Sequence, residues 1–200
     1  MEDLVPFLED AMRAAEGRLR DTLGRECRIC IHVHMSGELT QVVERIDHEK
    51  FRPELQYTLE ELMARTGNGG FVLFTLTCDG EPTAFLYGYT DDGDRSKFFL
   101  DSVATLVEGK GIGSILVTLA LVYCHDIGYR SVELTTEEVD EKGRHLVKFY
   151  EDMGFEVAVR DPDKCVVMRS HLEVSKIRHA CLRYIGLEKD AQEFSSIHPL

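Results

Sequence analysis

The chain has 200 residues, and its 36 Asp and Glu against 23 Lys and Arg give a formal net charge of -13. That balance argues against a nucleic-acid binder, which needs clustered Lys and Arg for its phosphate contacts, and it suits a cationic partner. Hydrophobic residues at 44% and charged residues at 30% are ordinary for a globular protein of a length that one domain can fill.

The opening MEDLVPFLED begins with acids rather than a basic region and an apolar core, so no signal peptide is expected. No apolar run is long enough to span a bilayer; the longest, Ile112 to Cys124, is interrupted by Ser114 and Thr118. The expected setting is the cytoplasm, without membrane or nucleic acid.

Residues 2–23 read as a helical arm with Leu4, Phe7, Leu8, Met12, Leu19 and Leu23 roughly on one face. The next stretch, near 26–34, alternates as a strand, with Cys27, Ile29, Ile31 and Val33 on one face and Arg28, Cys30, His32 and His34 on the other. The Cys27-x-x-Cys30 pair followed by two histidines therefore points its sulfurs apart, and no second pair follows at zinc spacing. The six cysteines read as structural, and no metal is expected. Helices follow at about 38–47 and 57–65, the second announced by the capping box Thr58-Leu59-Glu60-Glu61.

The period then changes. Strands at 71–78 and 81–89 are joined by the tight turn Asp79-Gly80, and a third strand runs over 97–106 after the polar turn 91–96. A helix over 111–127 stops at Gly128, a strand covers 131–136, and a helix at 144–153 carries Leu146, Phe149, Tyr150 and Met153 on one side. A hairpin of 155–160 and 165–170 follows, and a last helix places Val174, Ile177, Cys181 and Tyr184 in register. The pattern predicts an α/β fold with a mostly antiparallel sheet, flanked by helices, and one parallel pair around the 111–127 helix. The expected organisation is an N-terminal helical extension at 1–24, a main domain at 25–171 and a C-terminal helix and tail at 172–200. The terminal helices could cover a sheet edge or form a homodimer face.

The glycine loop EGKGIGS, residues 108–114, opens the 111–127 helix, where free amides and the positive helix end favour an anion. It is not a Walker A loop, because Lys110 precedes Gly111 instead of following the last glycine. Nor is it a dinucleotide fingerprint, because Gly109-Lys110-Gly111-Ile112-Gly113 brings the third glycine one residue early. A plain helix cap is the reading that spacing leaves open.

The strand VATLV, this loop and the following helix resemble motif A of the GNAT family of N-acetyltransferases, R/Q-x-x-G-x-G/A. HLVKFYEDMGF, residues 145–155, resembles the family's motif B, and the order of elements is similar over roughly 26–170. The resemblance implies an acetyl-CoA-dependent enzyme that acetylates a primary amine by direct attack in a ternary complex. It implies a cofactor site in Glu108, Gly109, Lys110, Gly111, Ile112, Gly113 and Ser114, with the amides from Lys110 to Ser114 around the pyrophosphate. The backbone of Val103, Ala104 and Thr105 is implied to pair with the pantetheine. Two residues depart from the pattern. Glu108 stands where the family has Arg or Gln, and about 3 kcal/mol of repulsion is expected if its carboxylate lies about 6 Å from a phosphate at an effective dielectric near 20. Gly143 stands where many members place asparagine. The sequence leaves open whether Glu108 turns to water beside a working site or disables it, and a non-catalytic acyl-CoA-binding or partner-binding module is the alternative.

By the same resemblance Tyr150 is the general acid that protonates the departing thiolate; read from pattern alone it is a core aromatic. Asp101, an acid inside an apolar strand and on the side of Phe99 and Val103, is the first candidate for the base, with Glu133 second, and each has the plainer reading of a hydrogen-bonded acid. His125 and His145 read as surface histidines. The acidic run Glu137-Glu138-Val139-Asp140-Glu141 is expected to rim the acceptor site and draw a small cationic amine, or to be a solvated loop.

Overall fold

The computed structural model describes residues 6–161 and 165–188. In chain order the elements are α1 (Pro6–Leu23), β1 (Cys27–His32), α2 (Gly37–Lys50), a 3-10 turn (Pro53–Leu55), α3 (Leu59–Thr66), β2 (Val72–Cys78), β3 (Glu81–Thr90) and β4 (Lys97–Thr105). They continue with α4 (Ile112–Ile127), β5 (Ser131–Glu137), α5 (Leu146–Glu151), β6 (Glu156–Arg160), β7 (Cys165–His171), α6 (Val174–Ala180) and a π turn (Cys181–Ile185). The turn expected at 161–164 and the tail beyond 188 fall largely outside the described residues.

Local signals set most of these boundaries. Thr58 Oγ1 accepts from the Glu61 amide at 3.3 Å while Glu61 Oε2 accepts from the Thr58 amide at 2.8 Å, so two of the orphan donors at the start of α3 are satisfied reciprocally. Asp79 and Gly80 both take positive φ, 51° and 83°, the twist that a two-residue hairpin turn requires. Gly128, at φ 96°, ends α4 with its amide directed at the carbonyls of Cys124 and His125.

The strands form one sheet in the order β1-β2-β3-β4-β5-β7-β6, antiparallel except for β4 with β5. That parallel contact is short. Lys97, Phe98 and Phe99 pair with Ser131, Val132 and Glu133, and beyond them the strands part, although β4 stays paired with β3 to Thr105 and β5 with β7 to Glu137. The sheet is therefore continuous at one end of β4 and split at the other.

Both faces of the sheet are covered. On one, α4 contributes Ile115, Leu116, Leu119 and Val122 to a core shared with Phe74, Leu86 and Phe98, and α1 adds Phe7, Leu8, Ala11, Ala15 and Leu19. Ile177, Cys181 and Ile185 join the same core. Ile185 takes the buried place expected for Tyr184, because a π turn carries an extra residue per turn and advances the face. On the other face, Val43 and Ile46 of α2 and Leu62 of α3 pack on Leu73, Phe85, Tyr87 and Ala104.

One irregularity matters for the site. Tyr87 is opposite Ser102 and Gly88 is opposite Leu100, so Asp101 is the extra residue of a β-bulge. The bulge overturns the expectation that Asp101 and Val103 share a face. Val103 packs against the α1 and α4 core, whereas Asp101 bonds to groups on the α2 and α3 side. Gly88 admits this arrangement, since a Cβ there would lie 2.4 Å from the Phe99 carbonyl oxygen.

Cys27 and Cys78 face each other across β1 and β2 with sulfurs 3.4 Å apart, while Cys30 lies on the opposite face of β1. Burial and the Cys78 neighbour push the Cys27 thiol up to about 12. No group of three or more metal-ligating side chains occurs among the described residues. None of the described helices is long and apolar enough to cross a membrane. His125 corrects the surface reading: it is buried, with Nδ1 3.3 Å from Asp126 Oδ1, whereas His145 is exposed.

Candidate active site

The split between β4 and β5 opens a cavity of about 590 Å³. Val103, Ala104 and Thr105 form one wall and Leu134, Thr135, Thr136 and Glu137 the other, so the unpaired edges of both strands face the space. Unpaired edges carry free donors and acceptors that suit an extended, amide-bearing ligand.

The glycine loop closes the end of the split. Gly109 and Gly111 take φ of 73° and 75°, a conformation that side-chain-bearing residues rarely adopt, and they turn the chain from β4 into α4. The first amides of α4, those of Ile112, Gly113 and Ser114, have no acceptor within the helix and mark the positive end of its 16 residues. Glu108, Gly109, Gly111, Ile112, Gly113 and Ser114 all line the cavity. Lys110 is not among the lining residues, and its side chain is exposed.

Glu108 gathers three cations. Its Oε1 accepts from Lys142 Nζ at 2.7 Å and from Lys50 Nζ at 3.2 Å, and its Oε2 lies 3.5 Å from Arg144 Nη1. The hydrogen bonds from Lys142 and Lys50 hold its carboxyl down at about 2. The cations come one from the end of α2 and two from the segment between β5 and α5; Arg144 is shared with Asp140, so three cations face two carboxylates at the mouth.

That segment also explains why α5 starts later than the sequence pattern suggests. Asp140 accepts from the amides of Lys142 and Arg144 at 3.0 and 2.8 Å, and Gly143, at φ 75°, lets the chain close on it. Arg144 and His145 are spent on this tight turn, with Val139 bridged to His145, before the helix begins at Leu146. The role of Gly143 here is conformational.

Tyr150 lies on α5 and lines the cavity. Its ring packs edge-on to Phe149 at 4.9 Å and to Phe155 at 5.7 Å, and burial pushes its phenol up to about 12. Asp101 also lines the cavity, but its carboxylate is engaged: Oδ1 accepts from Tyr57 Oη at 2.9 Å, and Oδ2 from Arg65 Nε at 2.8 Å and Tyr89 Oη at 3.0 Å. Glu133 is outside the lining residues and is held by Arg169 through bonds of 2.9 and 2.6 Å.

Three members of the acidic run are neutralised in place. Glu137 is gripped by both Nη atoms of Arg52, Glu138 pairs with Arg160, and Asp140 pairs with Arg144. Arg52, Tyr57 and Arg65 lie in segments that show no motif in the sequence. The only signal for Tyr57 was its place just before the Thr58 cap.

The Acetyltransferase (GNAT) family profile matches residues 38–155. No curated protein matches the chain by sequence. Among solved structures, the ribosomal-protein-S18-alanine N-acetyltransferase from Escherichia coli is similar with a TM-score of 0.59 at 15% identity, covering 73% of this chain and 95% of that one. The PaiA N-acetyltransferase from Thermoplasma acidophilum, in complex with coenzyme A, gives 0.58 at 18% identity over 72% and 98%. The aminoglycoside 6'-N-acetyltransferase from Enterococcus faecium gives 0.61 at 14% identity over 72% and 97%. At such identities these three speak to the fold alone, a mixed and mostly antiparallel sheet flanked by helices. With the family profile spanning more than half of the residues, the chain belongs to the GNAT family of acetyltransferases.

Proposed function

We propose that the protein transfers an acetyl group from acetyl-CoA to a primary amine by direct attack in a ternary complex, with Tyr150 as general acid. The observation that carries this reading is the meeting of three features in one cavity: the split between β4 and β5, the glycine-capped start of α4, and Tyr150. The residues fit the cofactor. The free edge at Val103, Ala104 and Thr105 suits the amides of a pantetheine arm, and the amides from Lys110 to Ser114 suit a pyrophosphate. When bound, the cofactor supplies the activated acyl group; the chain places it, excludes water and moves protons.

Glu108 does not disable this site. Lys50, Lys142 and Arg144 surround it, and with Asp140, which shares Arg144, counted in, three cations against two carboxylates still leave positive charge at the loop. Exposure to solvent discounts each term, but the attraction from the cations exceeds the repulsion from the two carboxylates. Replacing Glu108 by Gln is expected to tighten acetyl-CoA binding by about two- to tenfold, read by calorimetric titration at low salt and shrinking as salt is raised. A tenfold loss would instead make Glu108 the organiser without which the cations scatter.

The acceptor is an amine. The neutralised acidic run pulls on a polycation less than its sequence suggests, because only the charge left over by Arg52, Arg160 and Arg144 acts at a distance. The direct test is thiol release from acetyl-CoA with a panel of amines. Tight acetyl-CoA binding without release on any amine would leave a binding module.

A further inference from the structure

Tyr57 is held more firmly than a cavity wall requires. Its amide donates to Asp47 Oδ2 at 3.1 Å, the Arg65 guanidinium lies 3.8 Å from its ring centroid, and its hydroxyl donates to Asp101 Oδ1 at 2.9 Å. Asp101 is only 5% exposed and both of its oxygens are occupied, so it is poorly placed to meet an amine directly. Tyr57 lines the cavity, and a phenol that donates to Asp101 and takes one contact from Arg65 still has accepting capacity for a donor arriving from the cavity side.

We infer that Tyr57 and Asp101 form the relay that removes the proton from the acceptor amine, with Arg65 as the positioning residue that holds both; this rests on the acetyl-transfer reading above. Burial, and then the Asp101 carboxylate, raise the Tyr57 phenol, so no tyrosinate stands ready at neutral pH and Tyr57 passes a proton on instead of storing one. As the amine nitrogen bonds to the acyl carbon, its N–H becomes acidic. That proton moves to Tyr57 Oη while the Tyr57 proton moves to Asp101 Oδ1. The C–S bond breaks and the sulfur takes the Tyr150 proton. Nothing is oxidised or reduced; Asp101 then loses its proton to water and Tyr150 regains one.

Tyr89 supplies the control, because it donates to the same carboxylate at 3.0 Å but is not among the cavity-lining residues. The experiment measures thiol release from acetyl-CoA with an aminoglycoside and with a short peptide beginning with alanine, beside acetyl-CoA affinity and melting temperature. Tyr57→Phe is expected to lower kcat by about 100-fold or more, within the range of general acid-base catalysis, with acetyl-CoA affinity unchanged and melting temperature lowered about as much as by Tyr89→Phe, which removes a hydrogen bond to the same carboxylate. Tyr89→Phe is expected to cost less than about fivefold, and adding Asp101→Asn to Tyr57→Phe to cost little more than the worse single change, as for groups that act as one unit. A Tyr57→Phe enzyme within about threefold of wild type, or equal losses at Tyr57 and Tyr89, would overturn the relay. If Asp101→Asn fails to fold, the two phenylalanine variants decide between them. Absence of wild-type release with these probes and with the whole amine panel would remove the parent reading, and the relay with it.

Discussion

Tyr150→Phe is expected to lower acetyl transfer by about 100- to 1,000-fold while leaving acetyl-CoA affinity within about twofold. The ring is wedged between Phe149 and Phe155, and phenylalanine keeps both contacts, so the change isolates the hydroxyl. With its phenol pushed up to about 12, Tyr150 is fully protonated at any working pH. A free thiolate, near 8.5, would be too weak a base to take that proton readily. The same dry surroundings raise the proton affinity of the departing sulfur, however, and the proton is needed only as the C–S bond breaks. Deprotonation of Tyr150 therefore sets no alkaline limb below about pH 10. Paired turnover and calorimetric measurements on the variant check the assignment, and a parallel loss of rate and affinity would return Tyr150 to the role of a packing residue.

Asp47→Asn is expected to stabilise the protein at pH 7.5 by about 2–3 kcal/mol and to lose that advantage near pH 4. Asp47 is completely buried on α2, its Oδ2 takes the Tyr57 amide, and its Oδ1 has no hydrogen-bond partner among the described residues. Burial raises its carboxyl from 3.8 to about 6. The folded state thus binds this proton more tightly than the unfolded one. Its contribution is fully favourable below the unfolded value and is lost as pH rises through the folded value, so the charged form weighs against folding at neutral pH. Asparagine keeps an acceptor for the Tyr57 amide without the charge. Urea unfolding at the two pH values checks the sign; a variant less stable at pH 7.5 would mean that the carboxylate has a favourable counterpart inside.

The residue that carries this cost also anchors Tyr57, so this wall of the cavity rests on a buried and incompletely bonded carboxylate. Buried polar groups left incompletely paired concentrate where function requires a particular geometry. Asp47, Tyr57, Arg65 and Asp101 come from α2, the residue just before the Thr58 cap, α3 and the bulge of β4. Alternation along β4 brought out Asp101 but put it on the wrong side relative to Val103, because a bulge inserts one residue and nothing in Leu100-Asp101-Ser102 announces it.

What the sequence by itself determined is what depends on neighbours a few residues apart. The Thr58 capping box, the Asp79-Gly80 turn, the glycine start and stop of α4 and the two motifs of its family are all closed by short-range geometry, and the element order followed from them. The split sheet, the relay and the cation group around Glu108 were decided only in three dimensions. Lys50 and Lys142 reach Glu108 across 58 and 34 residues, and Tyr57 reaches Asp101 across 44. A single carboxylate reads in sequence as repulsion beside a phosphate loop; it stays repulsive, but the net charge there changes sign when packing brings three cations to it, because electrostatic energy depends on distance in space and not along the chain.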